Sequence, residues 1–178
     1  MFWDRKIIMR AVMATLIIIT LAGCATRRRP ISVSFEQTQH VKHTSQPIWP
    51  VSGAPIRITS RFGDKTSSGS GGDHIHVGID FAAPKGTPVL STGDGVVQRA
   101  ESTSGGYGQL VTIQHPDKIE TRYGHLSSIA VQSGQHVHKG QRIGAVGATG
   151  HATGNHLHYE IRVNGAPVDP LSHLPKTQ

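Results

Sequence analysis

The chain of 178 residues contains a single cysteine, Cys24, so no intramolecular disulfide can form. Aromatic residues make up only 5% of it and do not interleave with basic residues, so the stacking platform of a single-strand nucleic-acid binder is missing. No apolar run approaches the roughly 20 residues of a bilayer-spanning helix. After the N-terminus no long stretch has helical periodicity. The Ser/Gly stretch Lys65–Asp73 (KTSSGSGGD) lacks a Gly-Lys-Ser/Thr ending, which excludes a phosphate-binding loop; a mobile rim beside a groove is expected there. No lysine sits in the hairpin-tip context that a biotinyl or lipoyl carrier domain requires.

Acidic residues are also scarce, but only in one part of the chain. The formal net charge is +7. From Pro47 to Gln178 there are 11 Lys+Arg against 9 Asp+Glu, a net of +2. The excess comes from Arg5, Lys6, Arg10, Arg27, Arg28, Arg29 and Lys42. The basicity belongs to the N-terminal tail, which argues against nucleic acid as a partner.

That tail reads as an address. Arg5, Lys6 and Arg10 precede an apolar run of 12 residues, Ala11–Ala22, which suits a signal-peptide core. It ends in Leu21-Ala22-Gly23-Cys24, which resembles the lipobox of bacterial lipoproteins. The resemblance implies cleavage before Cys24, lipidation of Cys24 and, with no Asp at Ala25 or Thr26, an outer-membrane site facing the periplasm in a Gram-negative host. Residues 1–23 are thus expected to be a lipoprotein signal peptide. Residues 24–46, polar and without sustained periodicity, are expected to be a lipid-anchored flexible tether. Arg27–Arg29 either sit on anionic headgroups or simply solubilise the linker.

The folded domain is expected over residues 47–178. Many glycines at turn-like positions and short alternating runs predict a compact all-β domain with short turns. Strand-like runs cover residues 56–62, 74–81, 87–90, 95–100, 108–115, 121–126, 136–138, 141–146 and 154–163.

Two of these runs carry histidines in pattern. In 154–163, His156, His158, Glu160 and Arg162 share one face, and Leu157, Tyr159, Ile161 and Val163 the other, as in a half-buried strand. Imidazole is the commonest metal ligand and general base near neutral pH. Read alone, this face is either half of a metal site or a solvated face that happens to be rich in histidine. In 74–81, His76 and Asp80 form His-x-x-x-Asp, with His74 a competing candidate that lacks a carboxylate at the matching spacing. Side chains four apart on a straight strand are separated by about 13 Å. To share one ion the chain must bend between them, and Gly78 permits that. His40, His43, His115, His136, His138, His151 and His173 have no such pattern and are expected to be ordinary surface or loop histidines.

From about Pro50 to Pro170 the chain resembles the lysostaphin/LytM-type peptidoglycan metallopeptidases. The matching pieces include Ser60-Arg61-Phe62-Gly63, His76-Val77-Gly78-Ile79-Asp80-Phe81, Tyr107-Gly108, Tyr123-Gly124-His125-Leu126 and Thr153-Gly154-Asn155-His156-Leu157-His158-Tyr159-Glu160. The resemblance implies a compact antiparallel β-sheet domain with an open groove, in which His76, Asp80 and His158 hold one Zn²⁺ per chain and His125 and His156 are the catalytic pair. It aligns no tyrosine to the family's transition-state role. Three protein ligands leave an open fourth position, as in catalytic rather than structural zinc sites. The implied function is a zinc endopeptidase cutting peptide crosslinks between peptidoglycan stem peptides. Direct D,D-crosslinks fit an outer-membrane lipoprotein better than glycine bridges. The alternative is a non-catalytic relative that activates cell-wall amidases; its mark is loss of the ligands, which this chain retains. The resemblance leaves room for a regulatory protein that opens the groove.

Overall fold

Alternation of large apolar residues with polar ones builds the domain. The computed structural model describes residues 47–53, 57–68 and 72–176. Residues 1–46, where the signal peptide and tether are expected, and with them Cys24, His40 and His43, lie outside the described residues. The strands are β1 (Arg57–Ser60), β2 (Lys65–Ser68), β3 (Gly72–Ile75), β4 (Ile79–Ala82), β5 (Pro88–Leu90), β6 (Gly95–Ser102), β7 (Gln109–Gln114), β8 (Ile119–Leu126), β9 (Ser128–Ile129), β10 (His136–Val137), β11 (Arg142–Ala145), β12 (His156–Val163) and β13 (Ala166–Val168). Every described pairing is antiparallel. The fold is all-β, as expected. Among the described residues no helix is long and apolar enough to cross a membrane.

One eight-stranded sheet runs β1-β4-β12-β8-β7-β6-β10, with β13 also paired to β12. A second sheet has the order β5-β11-β9, and β2 and β3 form a separate ribbon. The core is drawn from both larger sheets: Ile79, Phe81, Val97, Val111, Ile113, Tyr123, Leu157 and Tyr159 from the first, Val89 and Ile143 from the second. Each such side chain contributes about 1.5–3 kcal/mol over its exposed state. The two core tyrosines keep their hydroxyls bonded: both reach Thr92 Oγ1, Tyr123 at 3.1 Å and Tyr159 at 3.0 Å.

Three expectations are corrected. The Ser/Gly stretch is not wholly a loop, because Lys65–Ser68 pairs with Gly72–Ile75; its sequence alternates too weakly to advertise a strand. Residues 74–81 are not one strand, since the chain leaves β3 after Ile75 and re-enters the sheet at Ile79. Strand β12 is buried on both faces over Leu157–Ile161. Its polar face is covered by neighbouring side chains and is not solvated.

Candidate metal centre

Strands β4 and β12 lie side by side with Asp80 directly opposite His158. Their side chains meet on one face, Asp80 Oδ1 lying 2.9 Å from His158 Nδ1. The third member arrives from the break between β3 and β4. His76 Nε2 lies 3.2 Å from Asp80 Oδ1 and 3.0 Å from His158 Nδ1. The bend that the His-x-x-x-Asp spacing demands is therefore present, and Gly78 sits in it. The glycine is needed for space: a Cβ there would stand 2.5 Å from the Tyr159 carbonyl oxygen and 3.0 Å from His158 Cε1. The backbone before Asp80 is pressed against β12, which carries His76 to the cluster.

The donor set fits a zinc ion. Ligand bonds of about 2.0–2.1 Å in a tetrahedron place donors about 3.3 Å apart, close to the 2.9–3.2 Å spacing here. The other nitrogen of each imidazole is engaged, so the tautomers follow from the hydrogen bonds. His76 Nδ1 donates to the Arg61 carbonyl at 2.9 Å. His158 Nε2 donates to Glu160 Oε1 at 3.1 Å. Each imidazole thus keeps its outer proton, and the nitrogen facing the cluster is the one that can give its lone pair to a metal. Among the described residues this is the group of three found suited to a metal ion. It takes in His76 and not the exposed His74.

Burial alone would raise the Asp80 pKa, but hydrogen bonds from His158 and His76 outweigh it and hold the carboxyl well below the usual range. Burial pushes the His158 imidazole down, yet its hydrogen bonds to Asp80 and Glu160 prevail and raise it to about 9. Without a metal, a proton satisfies the cluster's demand for positive charge.

His125 and His156 flank the cluster. Their rings pack edge to face with centroids 4.7 Å apart, and His125 is 5.8 Å from the His158 ring. His125 ends β8 in the left-handed region, φ 59°. Its Nδ1 donates to the Thr149 carbonyl at 2.8 Å. Burial, with the neighbouring His156 and His158, lowers its pKa to about 4, so the ring is neutral at pH 7 with Nε2 unprotonated. His156 Nδ1 donates to the Gly154 carbonyl at 2.9 Å, and its Nε2 lies 3.8 Å from Asp80 Oδ2. All five histidine and aspartate candidates thus fall in one place. A concavity of about 470 Å³ lined by Asp94, Gln114, His115, His136 and His138 shares no residue with them.

The hydroxyls of all three tyrosines are engaged. Tyr123 and Tyr159 are fully buried with their hydroxyls on Thr92. Tyr107 lies against His158, ring centroids 5.6 Å apart, but its hydroxyl donates to Glu160. Glu160 itself is not singled out by the sequence. Its place on the face with His156 and His158 is the available signal. His115 is also no ordinary surface residue: Nδ1 bonds the Asp94 carbonyl at 2.8 Å and Nε2 the Thr121 hydroxyl at 2.7 Å.

Residues 74–170, more than half of the chain, match Peptidase family M23. The chain is 47% identical over 116 residues to the DD-carboxypeptidase/endopeptidase Mpg of Neisseria meningitidis, covering 65% of this chain and 26% of that protein. It is 43% identical over 128 residues to the lipoprotein NlpD/LppB homolog of Pseudomonas aeruginosa, covering 72% and 39%. It thus spans about a quarter of the first relative's length and two-fifths of the second's. A zinc-containing peptidase from Vibrio cholerae superposes with a TM-score of 0.66 at 41% identity, covering 74% of this chain and 41% of that one. The chain is therefore a member of peptidase family M23, in line with its resemblance to the lysostaphin/LytM-type metallopeptidases.

Proposed function

We propose that the protein is a zinc-dependent endopeptidase that hydrolyses peptide crosslinks of peptidoglycan, D,D-crosslinks in particular. The observation that carries this is the convergence of His76 Nε2, Asp80 Oδ1 and His158 Nδ1 beside two further imidazoles, each tied through Nδ1 to a backbone carbonyl. His76, Asp80 and His158 would hold one Zn²⁺, which when bound supplies Lewis-acid polarisation of the scissile carbonyl.

The protein's own groups do the rest. His125, kept neutral by burial, takes a proton from the attacking water at Nε2. The proton passes to the amine nitrogen as the C–N bond breaks. His156 stands beside it to hold the water and the developing charge. Partial exposure of His156 and Asp80 leaves this side of the cluster open to a peptide.

Cys24 would carry the lipid that anchors the chain in the cell envelope, on the outer membrane facing the periplasm. Similarity to a protein named as a lipoprotein supports this placement. The second reading is the non-catalytic relative that activates cell-wall amidases. Retention of a complete donor set speaks for the enzyme. Digestion of purified sacculi followed by mass spectrometry of the muropeptides separates the two. Loss of crosslinked dimers with zinc-loaded protein alone is expected; no cleavage, together with stimulation of an amidase, would replace the enzyme reading.

A further inference from the structure

Glu160 has no part in the chemistry above, yet it is fully buried beside it. We propose that Glu160 is a positioning residue that fixes His158 for metal binding, and that Tyr107 and Arg162 fix Glu160 in turn. This rests on the reading of His76, Asp80 and His158 as the metal ligands.

An isolated buried carboxylate is costly, so its partners decide its state. Arg162 Nε donates to Oε2 at 2.8 Å. The guanidinium is always charged, and its partner is accordingly a carboxylate that only accepts. The Tyr107 hydroxyl and His158 Nε2 both donate to Oε1. With an acceptor-only group at that distance, His158 Nε2 keeps a proton. Nδ1, which faces Asp80 and His76, is then the nitrogen that gives up its proton and offers a lone pair when a metal binds. A carboxylate behind a ligating imidazole sets its tautomer and ring plane and makes it a stronger donor. The two imidazoles of the cluster therefore differ: a neutral carbonyl, that of Arg61, orients His76, and a charge orients His158.

The fold makes room for this arrangement. Gly124 on β8 is directly opposite His158 on β12. A Cβ at Gly124 would lie 3.2 Å from Tyr107 Cδ1. The missing side chain lets the Tyr107 ring lie over His158 and deliver its hydroxyl to Glu160. Two residues further along the same face Glu160 is opposite Arg122, and four residues further Arg162 is opposite Glu120. Opposite charges thus alternate across the two strands, and Arg122 is itself bonded to Glu120 at 2.7 Å.

The test uses the full chain, purified in detergent, and reads zinc affinity by chelator competition, with circular dichroism and thermal unfolding of each zinc-free variant alongside. Glu160→Gln is expected to lose about 10–100-fold in zinc affinity. The pH at half-release of zinc should rise, because a weaker site yields to protons sooner. Tyr107→Phe, which leaves His158 and Glu160 in place, should show a smaller loss in the same direction and guards against a folding defect in the first variant. Ring-nitrogen NMR of zinc-loaded wild type should find the His158 proton on Nε2. Zinc affinity of folded Glu160→Gln within about twofold of wild type, or a proton on Nδ1, overturns the positioning role while leaving the metal site standing. A wild type that binds no zinc overturns the metal reading and this inference with it. Neither outcome depends on peptidase activity.

Discussion

Asp80 and His158 face each other across β4 and β12, Oδ1 to Nδ1 2.9 Å, in a register shared with two core pairs, Phe81 with Leu157 and Ile79 with Tyr159. A slip of β12 by one residue would turn His158 into the core and the buried Leu157 and Tyr159 out of it. The geometry of the cluster is therefore guarded by the hydrophobic core, at an energetic cost far above that of the polar contacts themselves.

Purified residues 47–178 are expected to hold about one zinc per chain, measured by plasma mass spectrometry after desalting. Asp80→Ala or His158→Ala should lose it, since two remaining ligands are too few. His74→Ala should keep it. Stoichiometric zinc in both of the first two variants would remove these residues from the site.

Gly78→Ala tests the bend. The added methyl meets backbone oxygen at 2.5 Å, an atom that cannot rotate away. Urea unfolding of the zinc-free protein should show a loss of about 1–3 kcal/mol, with weaker zinc binding because His76 is displaced. Gly105→Ala, where nothing lies within 4 Å, is the control and should shift stability by less than about 0.5 kcal/mol. Equal stabilities for the two variants would mean that Gly78 is not pinned.

How far the sequence discloses this site depends on the kind of signal. Period-two alternation in residues 154–163 is enough to put His156, His158 and Glu160 on one face, because the strand repeat is fixed by backbone geometry. The need for a bend between His76 and Asp80 is legible from distance alone. The close approach of β12 that makes Gly78 obligatory is not, since it is a contact between segments some 80 positions apart. For the same reason Glu160 looks in the sequence like one more solvated polar residue: its burial is created by Tyr107 from a distant turn, over the gap at Gly124. The β2–β3 ribbon is hidden because Ser, Thr and Gly give no apolar alternation. His115 passes for a surface residue because its partners, Asp94 and Thr121, are joined to it by the sheet.

Two pKa shifts of opposite sense give pH signatures in zinc-free protein. His125 is lowered from 6.5 to about 4, so the folded state resists protonation. Its contribution to stability is complete above 6.5 and is lost as pH falls towards 4. His158 is raised from 6.5 to about 9, so its contribution is complete below 6.5 and is lost as pH rises through 9. At pH 7.5 the zinc-free cluster then carries a proton on His158 that zinc must displace. Calorimetry of zinc binding in buffers of different ionisation enthalpy should give release of about one proton per ion. Zero release would contradict the protonated cluster. NMR titration of His125 should place its midpoint well below 6.5.

Cys24 is expected to be lipidated, because a short apolar run ends in Leu21-Ala22-Gly23-Cys24. In a Gram-negative host, Cys24→Ser should block processing, leave the longer precursor and abolish incorporation of labelled fatty acid. Normal processing of that variant without acylation would end the lipoprotein assignment. Sucrose-gradient separation of the membranes then tests the outer-membrane placement.

The division of labour among the five clustered side chains is tested by removing the two that are proposed to do chemistry without holding metal. His125 is at φ 59°, where alanine is strained and asparagine is tolerated, so His125→Asn is the cleaner variant; its side-chain amide can still donate to the Thr149 carbonyl. His156→Ala sits on a regular strand and needs no such care. Both should fold and retain one zinc. Each should lose about 10²–10⁴-fold in release of crosslinked muropeptides, the usual contribution of a positioned acid–base group. Because the His125 pKa is about 4, wild-type turnover should not fall through protonation of this ring until the pH nears that value. A variant that cleaves at close to the wild-type rate would lose its assigned role. A variant that loses zinc along with activity would instead join His76, Asp80 and His158 as a ligand.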